Sequence, residues 1–106
     1  MDAGMTNIIK QHRDEVAALC RRAGARRLDV FGSAARADFD PVTSDLDFLV
    51  EFDELPPTQY ADAYFTLKVN LESLFGRPVD LVTESSLENP YFRDRIYAER
   101  ELVYAR

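Results

Sequence analysis

The sequence contains no tryptophan, a single cysteine and a single histidine, and these scarcities exclude several kinds of functional site. Cys20 by itself cannot form an internal disulfide or a cysteine-rich zinc cluster, so a reducing, cytoplasmic setting is the default expectation. His12 by itself cannot supply a multi-histidine metal site, and a histidine-based catalytic triad is disfavoured. Any chemistry is therefore expected to depend on carboxylates.

Long apolar runs and an excess of basic residues are also absent. No apolar run approaches the roughly 20 residues that a membrane-spanning helix needs. The first fifteen residues lack the cationic start and long apolar stretch of a secretory signal. Lysine and arginine number 13 against 19 aspartates and glutamates, a net charge of −6. Such a chain is a poor candidate for binding duplex nucleic acid or a membrane surface, although it can bind a nucleotide whose phosphates are neutralised by metal ions.

The composition that remains is that of a globular protein. The chain has 106 residues, of which 46% are hydrophobic and 30% charged, and it shows no internal repeat and no Gly/Ser-rich linker. This length predicts one domain over residues 1–106. The alternation of helical and extended patterns predicts an α/β (α+β) fold, in which a small mixed sheet is packed with helices.

The predicted elements follow from apolar periodicity and from capping residues. A helix is predicted over residues 6–23, with Thr6 as its N-cap and Gly24 just past its end. Further helices are predicted over 59–75 and from Asn89-Pro90 to about residue 99, and strands over 27–31, 45–52 and 78–83. A short helix is expected after Gly32. The pattern at 101–105 fits either a strand or a helix extension.

Gly32 and Ser33 directly follow the first predicted strand. Glycine lets the backbone approach a ligand closely. Ser33 would sit at a helix start, where the hydroxyl and free amides can bind a phosphate. The alternative is that Gly32 only makes a turn and Ser33 only caps a helix, which is the commoner role of an isolated Gly-Ser pair.

Asp45 and Asp47 lie two residues apart in a predicted strand, which places both carboxylates on one face. Two such like charges repel each other, and a hard divalent cation with oxygen ligands cancels that repulsion. The opposite face of this strand carries Leu46, Phe48 and Val50, so the strand has a buried side. The alternative is two solvated aspartates at the edge of a sheet.

Asp80 lies between apolar residues in the third predicted strand, where an unpaired buried charge would be costly. If this strand lies beside the strand of Asp45 and Asp47, three carboxylates meet, and together they can hold two magnesium ions. The alternative is an exposed aspartate on an edge strand.

Residues 32–50, GSAARADFDPVTSDLDFLV, resemble the signature of the DNA polymerase β-like nucleotidyltransferase superfamily. That signature is a Gly-Ser, an arginine soon after, and Ser-Asp-x-Asp on the next strand. The spacing between the two parts makes the match more specific than either part alone. The short chain also resembles the minimal nucleotidyltransferases that accompany HEPN-domain partners. The matching positions are Gly32, Ser33, Arg36, Ser44, Asp45 and Asp47.

The resemblance implies a role for each matching residue. Gly32, Ser33, Arg36 and Ser44 would bind the nucleotide, with ATP as the substrate. Asp45 and Asp47 would bind the magnesium ions, and Asp80 would be a third metal-binding carboxylate that helps to deprotonate the attacking hydroxyl. One position departs from the pattern: residue 37 is alanine where the family often has glycine, which implies a stiffer turn. All three acidic positions are filled, which argues for an active enzyme.

By the same resemblance, the reaction is attack on the α-phosphorus of the nucleoside triphosphate, with pyrophosphate leaving. The expected role is that of an antitoxin, which forms a hetero-oligomer with a HEPN-type toxin and transfers AMP from ATP to a tyrosine of that toxin. Two alternatives stay open. The chain could be a weakly catalytic or non-catalytic binding module that neutralises its partner by complex formation, or a nucleotidyltransferase that acts on a small molecule such as an aminoglycoside.

Overall fold

The computed structural model describes residues 7–36 and 45–106. In this part of the chain, helices and strands alternate around one four-stranded sheet, whose strand order is β3-β2-β1-β4. The helices are α1 (Asn7–Gln11), α2 (Arg13–Ala23), α3 (Pro57–Phe75) and α4 (Pro90–Glu99). The strands are β1 (Ala25–Phe31), β2 (Leu46–Phe52), β3 (Val79–Thr83) and β4 (Glu101–Ala105).

The sheet is mixed, which confirms the predicted fold class. Strand β1 pairs antiparallel with both β2 and β4, whereas β2 pairs parallel with β3. A parallel pair needs a crossover connection, and α3 supplies it between β2 and β3. The segment at 101–105, which the sequence left open, is a strand because its backbone pairs with β1.

The main core lies between one face of the sheet and helices α1 to α3. Strand β2 contributes Leu46, Phe48 and Val50 to this core, as its alternating pattern predicts. Leu67 and Leu71 of α3 are fully buried against them. Cys20 is also buried in this core, and burial raises the pKa of its thiol to about 12, so it is an inert packing residue.

The other face of the sheet carries a second, smaller cluster that is covered by α4. Its buried members are Phe31, Leu49, Leu87 and Ile96. Because Ile96 belongs to α4 and packs against residues of β1 and β2, this helix lies over the face to which Asp47 also points. The fold therefore places a helix directly above the predicted site.

Helix ends agree with the capping residues in the sequence, with one exception. Gly24 and Gly76 end α2 and α3 in the left-handed conformation, with φ of 75° and 65°. Asn89 caps α4 and accepts hydrogen bonds from the amides of Tyr91 (2.9 Å) and Phe92 (3.3 Å).

The exception is the predicted continuous helix over 6–23, which is wrong in its middle. His12 leaves helical geometry (φ −111°, ψ 16°) and separates α1 from α2. Its ring packs edge-on against Phe75, with centroids 5.6 Å apart, and its Nδ1 lies 2.9 Å from Glu15. The Glu15 contact is local, whereas the Phe75 contact comes from tertiary packing, which can override the local helical period. Thr6, the predicted N-cap, lies outside the described residues.

Within the described ranges, no helix is both long and apolar enough to span a membrane.

Candidate active site

The site is built around a backbone corner at the end of β1. Gly32 has a φ of +68°, a region that side-chain-bearing residues rarely adopt. A Cβ atom at this position would overlap the carboxylate oxygen Oδ2 of Asp47 and lie 3.3 Å from its Cγ. Glycine is therefore required twice, once by the turn and once by the close approach of Asp47 to the backbone.

A row of three side chains crosses the sheet at this corner. Phe31 of β1 is paired in register with Asp47 of β2, and Asp47 is paired with Asp80 of β3. Residues directly opposite each other on neighbouring strands project from the same face of a sheet. The structure therefore places Asp47 and Asp80 on one face, as the sequence predicts on the condition that the two strands are neighbours.

The electrostatics of Asp47 reflect its crowded acidic surroundings. Burial is the main cause that raises the pKa of Asp47, to about 6 from an ordinary value of 3.8, and the charges of Asp80 and Asp45 add to it. The guanidinium of Arg36 acts in the opposite direction but does not cancel the rise. Asp47 thus lies in a place where positive charge is in short supply.

A cavity of about 310 Å³ opens at this corner, between the sheet and α4. Its polar side is formed by Gly32, Ser33, Arg36 and Asp47. The facing side comes from α4, and the residues that line it there are Phe92, Arg95, Ile96 and Glu99. The cavity thus has carboxylate, hydroxyl and guanidinium groups on the sheet side, and the α4 side combines the Phe92 ring and Ile96 with the charged side chains of Arg95 and Glu99.

Arg36 is held toward this cavity by α4. Its guanidinium donates to Glu99 at 2.6 Å, and Glu99 also accepts from Arg95 at 3.2 Å. Glu99 is only 17% exposed, whereas the two arginines are much more open to solvent. This ion-pair group fixes the orientation of one cationic side chain at the mouth of the cavity.

Asp29 is a buried acid on the same face that the sequence analysis did not single out. It is 1% exposed, and Arg27 forms a two-pronged contact with its carboxylate at 2.9 and 3.1 Å. Arg100, directly after α4, lies 3.7 Å from the same carboxylate. The hydrogen bond from Arg27 to Asp29 raises the pKa of Arg27. Because its charge is matched by two arginines, Asp29 serves to attach α4 to the sheet rather than to bind a cation.

The predicted site residues are brought together only in part. Gly32, Ser33, Arg36 and Asp47 share the cavity, whereas Asp45 and Asp80 are exposed beside it. Across residues 7–36 and 45–106, no three side chains of His, Cys, Asp or Glu are arranged as a set that could hold a metal ion. Ser44, the remaining predicted nucleotide-binding residue, lies outside the described residues.

The predicted short helix after Gly32 is a single 3₁₀ turn, Gly32–Ala34. One turn has almost no macrodipole. The prediction that a helix dipole attracts a phosphate to this corner is therefore wrong. Any anion at this corner must instead be held by the Ser33 hydroxyl, by backbone amides and by Arg36.

The residues of α4 were missed because nothing local in the sequence connects them to the corner. None of Phe92, Arg95 and Glu99 is singled out in the sequence analysis. The only signal was the Asn89-Pro90 helix start, which fixes the beginning of α4 but not the face of the sheet that it covers.

Comparison with known families identifies the class of this protein. The chain belongs to the nucleotidyltransferase domain family, whose match covers residues 9–103. It is therefore an enzyme of the nucleotidyltransferase class, which confirms the family resemblance.

Similar proteins cover most of the chain. The protein adenylyltransferase MntA of Thermococcus cleftensis is 37% identical over 98 residues, which are 92% of this chain and 89% of the relative. A solved structure provisionally described as a minimal nucleotidyltransferase superposes with a TM-score of 0.67 at 39% identity, covering 87% of this chain and 89% of that one. The MNT antitoxin complex with a tri-AMPylated HEPN toxin of Shewanella oneidensis superposes with a TM-score of 0.62. At 20% identity, and over 92% of this chain and 73% of that one, this last likeness shows the fold alone.

Proposed function

We propose that this chain transfers AMP from ATP to the hydroxyl of a tyrosine on a HEPN-type toxin, and that it acts in the cytoplasm as the antitoxin of that toxin. The observation that carries the transfer chemistry is the approach of Asp47 to Gly32, with Asp80 in register beside it. The acceptor is supported by the relative named protein adenylyltransferase MntA and by the fold shared with an antitoxin bound to an AMPylated HEPN toxin.

The triphosphate would lie along the polar side of the cavity. Ser33 offers a hydroxyl there, Gly32 leaves the backbone open to close approach, and Arg36 supplies a guanidinium that can pair with phosphate oxygens. Ser44 completes this set in the family signature. A polyanion is bound only where enough positive charge faces it. The two arginines that line the cavity, Arg36 and Arg95, are both paired with Glu99 and do not balance the charge of a triphosphate.

The chemistry of the donor set fits magnesium. Asp45, Asp47 and Asp80 offer the carboxylate oxygens that this ion prefers, and the charges of Asp80 and Asp45 add to the rise that burial causes in the pKa of Asp47. The three side chains are not arranged as a metal-binding set in this structure, and only Asp47 and Asp80 are in register. By the family resemblance, these three residues would hold the metal, with two ions in the family arrangement. When bound, magnesium would neutralise phosphate charge and favour ionisation of the attacking hydroxyl.

In the proposed step, the tyrosine oxygen of the partner forms a bond to the α-phosphorus of ATP. The bond from that phosphorus to the bridging α–β oxygen breaks, and pyrophosphate leaves with the electron pair. The phenolic proton passes to a carboxylate of the acidic set, for which Asp80 is the candidate because it is exposed and lies beside Asp47. The enzyme contributes positioning and charge stabilisation rather than a covalent intermediate.

The proposal is tested by incubating the purified chain with its neighbour-encoded HEPN protein, magnesium and each nucleoside triphosphate in turn. Intact-mass spectrometry should show one or more added AMP groups on the partner, and peptide mapping should place them on tyrosine. An unmodified partner under every condition would refute the transfer activity.

Catalysis and occlusion are separated by an Asp47→Asn variant, with Asp62→Asn as the matched control because Asp62 is an exposed residue of α3. If transfer is what neutralises the toxin, Asp47→Asn should abolish both AMP addition and neutralisation, whereas the control retains both. Full neutralisation by Asp47→Asn would instead favour the binding-module alternative.

A further inference from the structure

Phe92 presents a partly uncovered phenyl ring to the same cavity as Gly32, Ser33 and Asp47. The ring is 45% exposed, whereas Phe31 and Ile96, which line the same cavity, are buried. A single exposed aromatic on a protein surface needs no explanation. What distinguishes this ring is its location, because it lines a cavity whose opposite side is polar and contains the predicted phosphate-binding corner.

The ring stands on a fixed support. Phe31, which is 6% exposed, contacts Phe92 edge to face, with ring centroids 6.5 Å apart and planes at 79°. Asn89 accepts a hydrogen bond from the backbone amide of Phe92 at 3.3 Å, which fixes this first turn of α4. Ile96, one turn further along, is fully buried in the same cluster. The ring therefore needs little reordering to receive a ligand, and this lowers the entropic cost of binding.

We propose that Phe92 is the surface on which the base of the nucleoside triphosphate stacks. The inference rests on the proposed nucleotide site and adds the residue that would receive the base. A nucleoside triphosphate is a flat, apolar ring system joined to a polyanion, and this cavity pairs an aromatic wall with a polar corner. No other aromatic side chain besides Phe31 and Phe92 lines the cavity in the described part of the chain, and Phe31 is almost fully covered.

The same contact predicts how the enzyme chooses between bases. Stacking on a phenyl ring is tolerant of base identity because every base has a π face. Two charged groups lie near Phe92 and could bind a base edge, Arg95 and Glu99, but they are paired with each other at 3.2 Å. Phe92 should therefore favour purines, which stack over a larger area, over pyrimidines, and contribute almost equally to ATP and GTP binding.

The absence of tryptophan makes a direct test possible. A Phe92→Trp variant carries a single indole, whose fluorescence reports contact with a stacked base. A non-hydrolysable ATP analogue with magnesium should quench this fluorescence in a saturable way, and tripolyphosphate with magnesium, which has no base, should not. The matched control is Phe65→Trp, since Phe65 is a phenyl on α3 that is 61% exposed and lies outside the cavity lining.

Kinetics of a truncation provide the second measurement. Phe92→Ala should raise the KM for ATP and for GTP by about tenfold, with kcat changed less than about twofold, because stacking is lost in the ground state and the transition state alike. Phe65→Ala should leave both constants unchanged. Thermal unfolding of each variant shows whether the fold is retained.

The outcomes separate this inference from the proposed function. A wild-type chain that binds the analogue by calorimetry, together with an unquenched Phe92→Trp and an unchanged KM in Phe92→Ala, overturns the stacking role alone. Quenching by tripolyphosphate equal to that by the analogue also overturns it. A wild-type chain that binds no nucleotide overturns both the inference and the proposed function.

Discussion

Replacing Asp47 by asparagine should stabilise the fold while it removes activity. Burial and the charges of Asp80 and Asp45 raise the pKa of Asp47 from 3.8 to about 6, so its ionised form is disfavoured in the native state. Without solvent screening, this rise would correspond to about 3 kcal/mol at neutral pH. Because Asp47 is only partly buried, water screens its interactions, and we expect about 1 kcal/mol.

The effect has a defined dependence on pH. A carboxyl whose pKa is raised on folding binds more protons in the native than in the unfolded state between about pH 4 and pH 6. The free energy of unfolding of the wild type therefore falls as the pH rises through this range, and the variant does not share that fall. The difference between the two proteins should be near zero at pH 4 and fully developed at pH 7.

Chemical denaturation at several pH values, in the presence of a chelator, measures this difference in free energy, and thermal unfolding under the same conditions measures the melting temperatures. At pH 7 the melting temperature of Asp47→Asn should exceed that of the wild type by roughly 4 °C. Asp62→Asn, on the exposed surface of α3, should change nothing. Magnesium should reduce the difference, because the ion supplies the missing positive charge only to the wild type. A variant that is less stable than the wild type at pH 7, or an advantage that does not vary with pH, would refute the electrostatic reasoning.

Three further predictions concern the corner, the cap and the ion-pair group. Gly32→Ala should abolish AMP transfer and destabilise the fold by at least about 2 kcal/mol, since a Cβ overlaps the neighbouring carboxylate. Gly76 has a similar φ of 65° and open space around it, so the control variant Gly76→Ala should lose only about 1 kcal/mol of stability and stay active. Equal losses of stability for the two variants in urea denaturation would contradict the steric argument. Asn89→Ala removes the acceptor at the start of α4 and should lower the free energy of unfolding by about 1 kcal/mol, with Asn89→Ser retaining most of it; an unchanged denaturation midpoint would exclude the capping role. Arg36→Ala should raise the KM for ATP by about tenfold, because a charged hydrogen bond to phosphate is lost. The melting temperature should change little, because the ion pair of Arg36 with Glu99 is partly exposed. An unchanged KM in steady-state kinetics would show that Arg36 does not bind the phosphates.

Local patterns were sufficient for most of the fold. The alternation of Leu46, Phe48 and Val50 placed β2 correctly, since a two-residue period is intrinsic to an extended chain. Helix ends at Gly24 and Gly76 followed from the left-handed conformation that glycine tolerates. The division at His12 was not predicted, because the ring contact with Phe75 that accompanies it joins residues far apart in the sequence.

In the candidate site too, local patterns predict some residues, whereas others depend on tertiary packing. Strand period predicts Asp45 and Asp47 on one face, but Asp45 directly precedes β2 rather than lying in it. Asp80 was predicted to join on the condition that β3 lies beside β2, and the register pairs it with Asp47. The side of the cavity that α4 forms could not be predicted. The position of this helix depends on the packing of Ile96 against Phe31, which lies far away in the sequence. Asp29 was missed because a buried acid in a strand is recognised only when its arginine partners are seen.

The parallel pairing of β2 and β3 also determines the stage of synthesis and folding at which the candidate site is complete. Strands β1 and β2 are antiparallel neighbours, whereas β3 reaches β2 only after α3 has been made and has packed across the sheet. Contacts between residues so distant in the sequence form late, because the chain must first lose the entropy of closing a long loop. A nascent chain that already exposes Gly32 and Asp47 thus still lacks Asp80 beside them. Catalytic competence should therefore arise together with complete folding, and a partly synthesised chain should be unable to consume ATP.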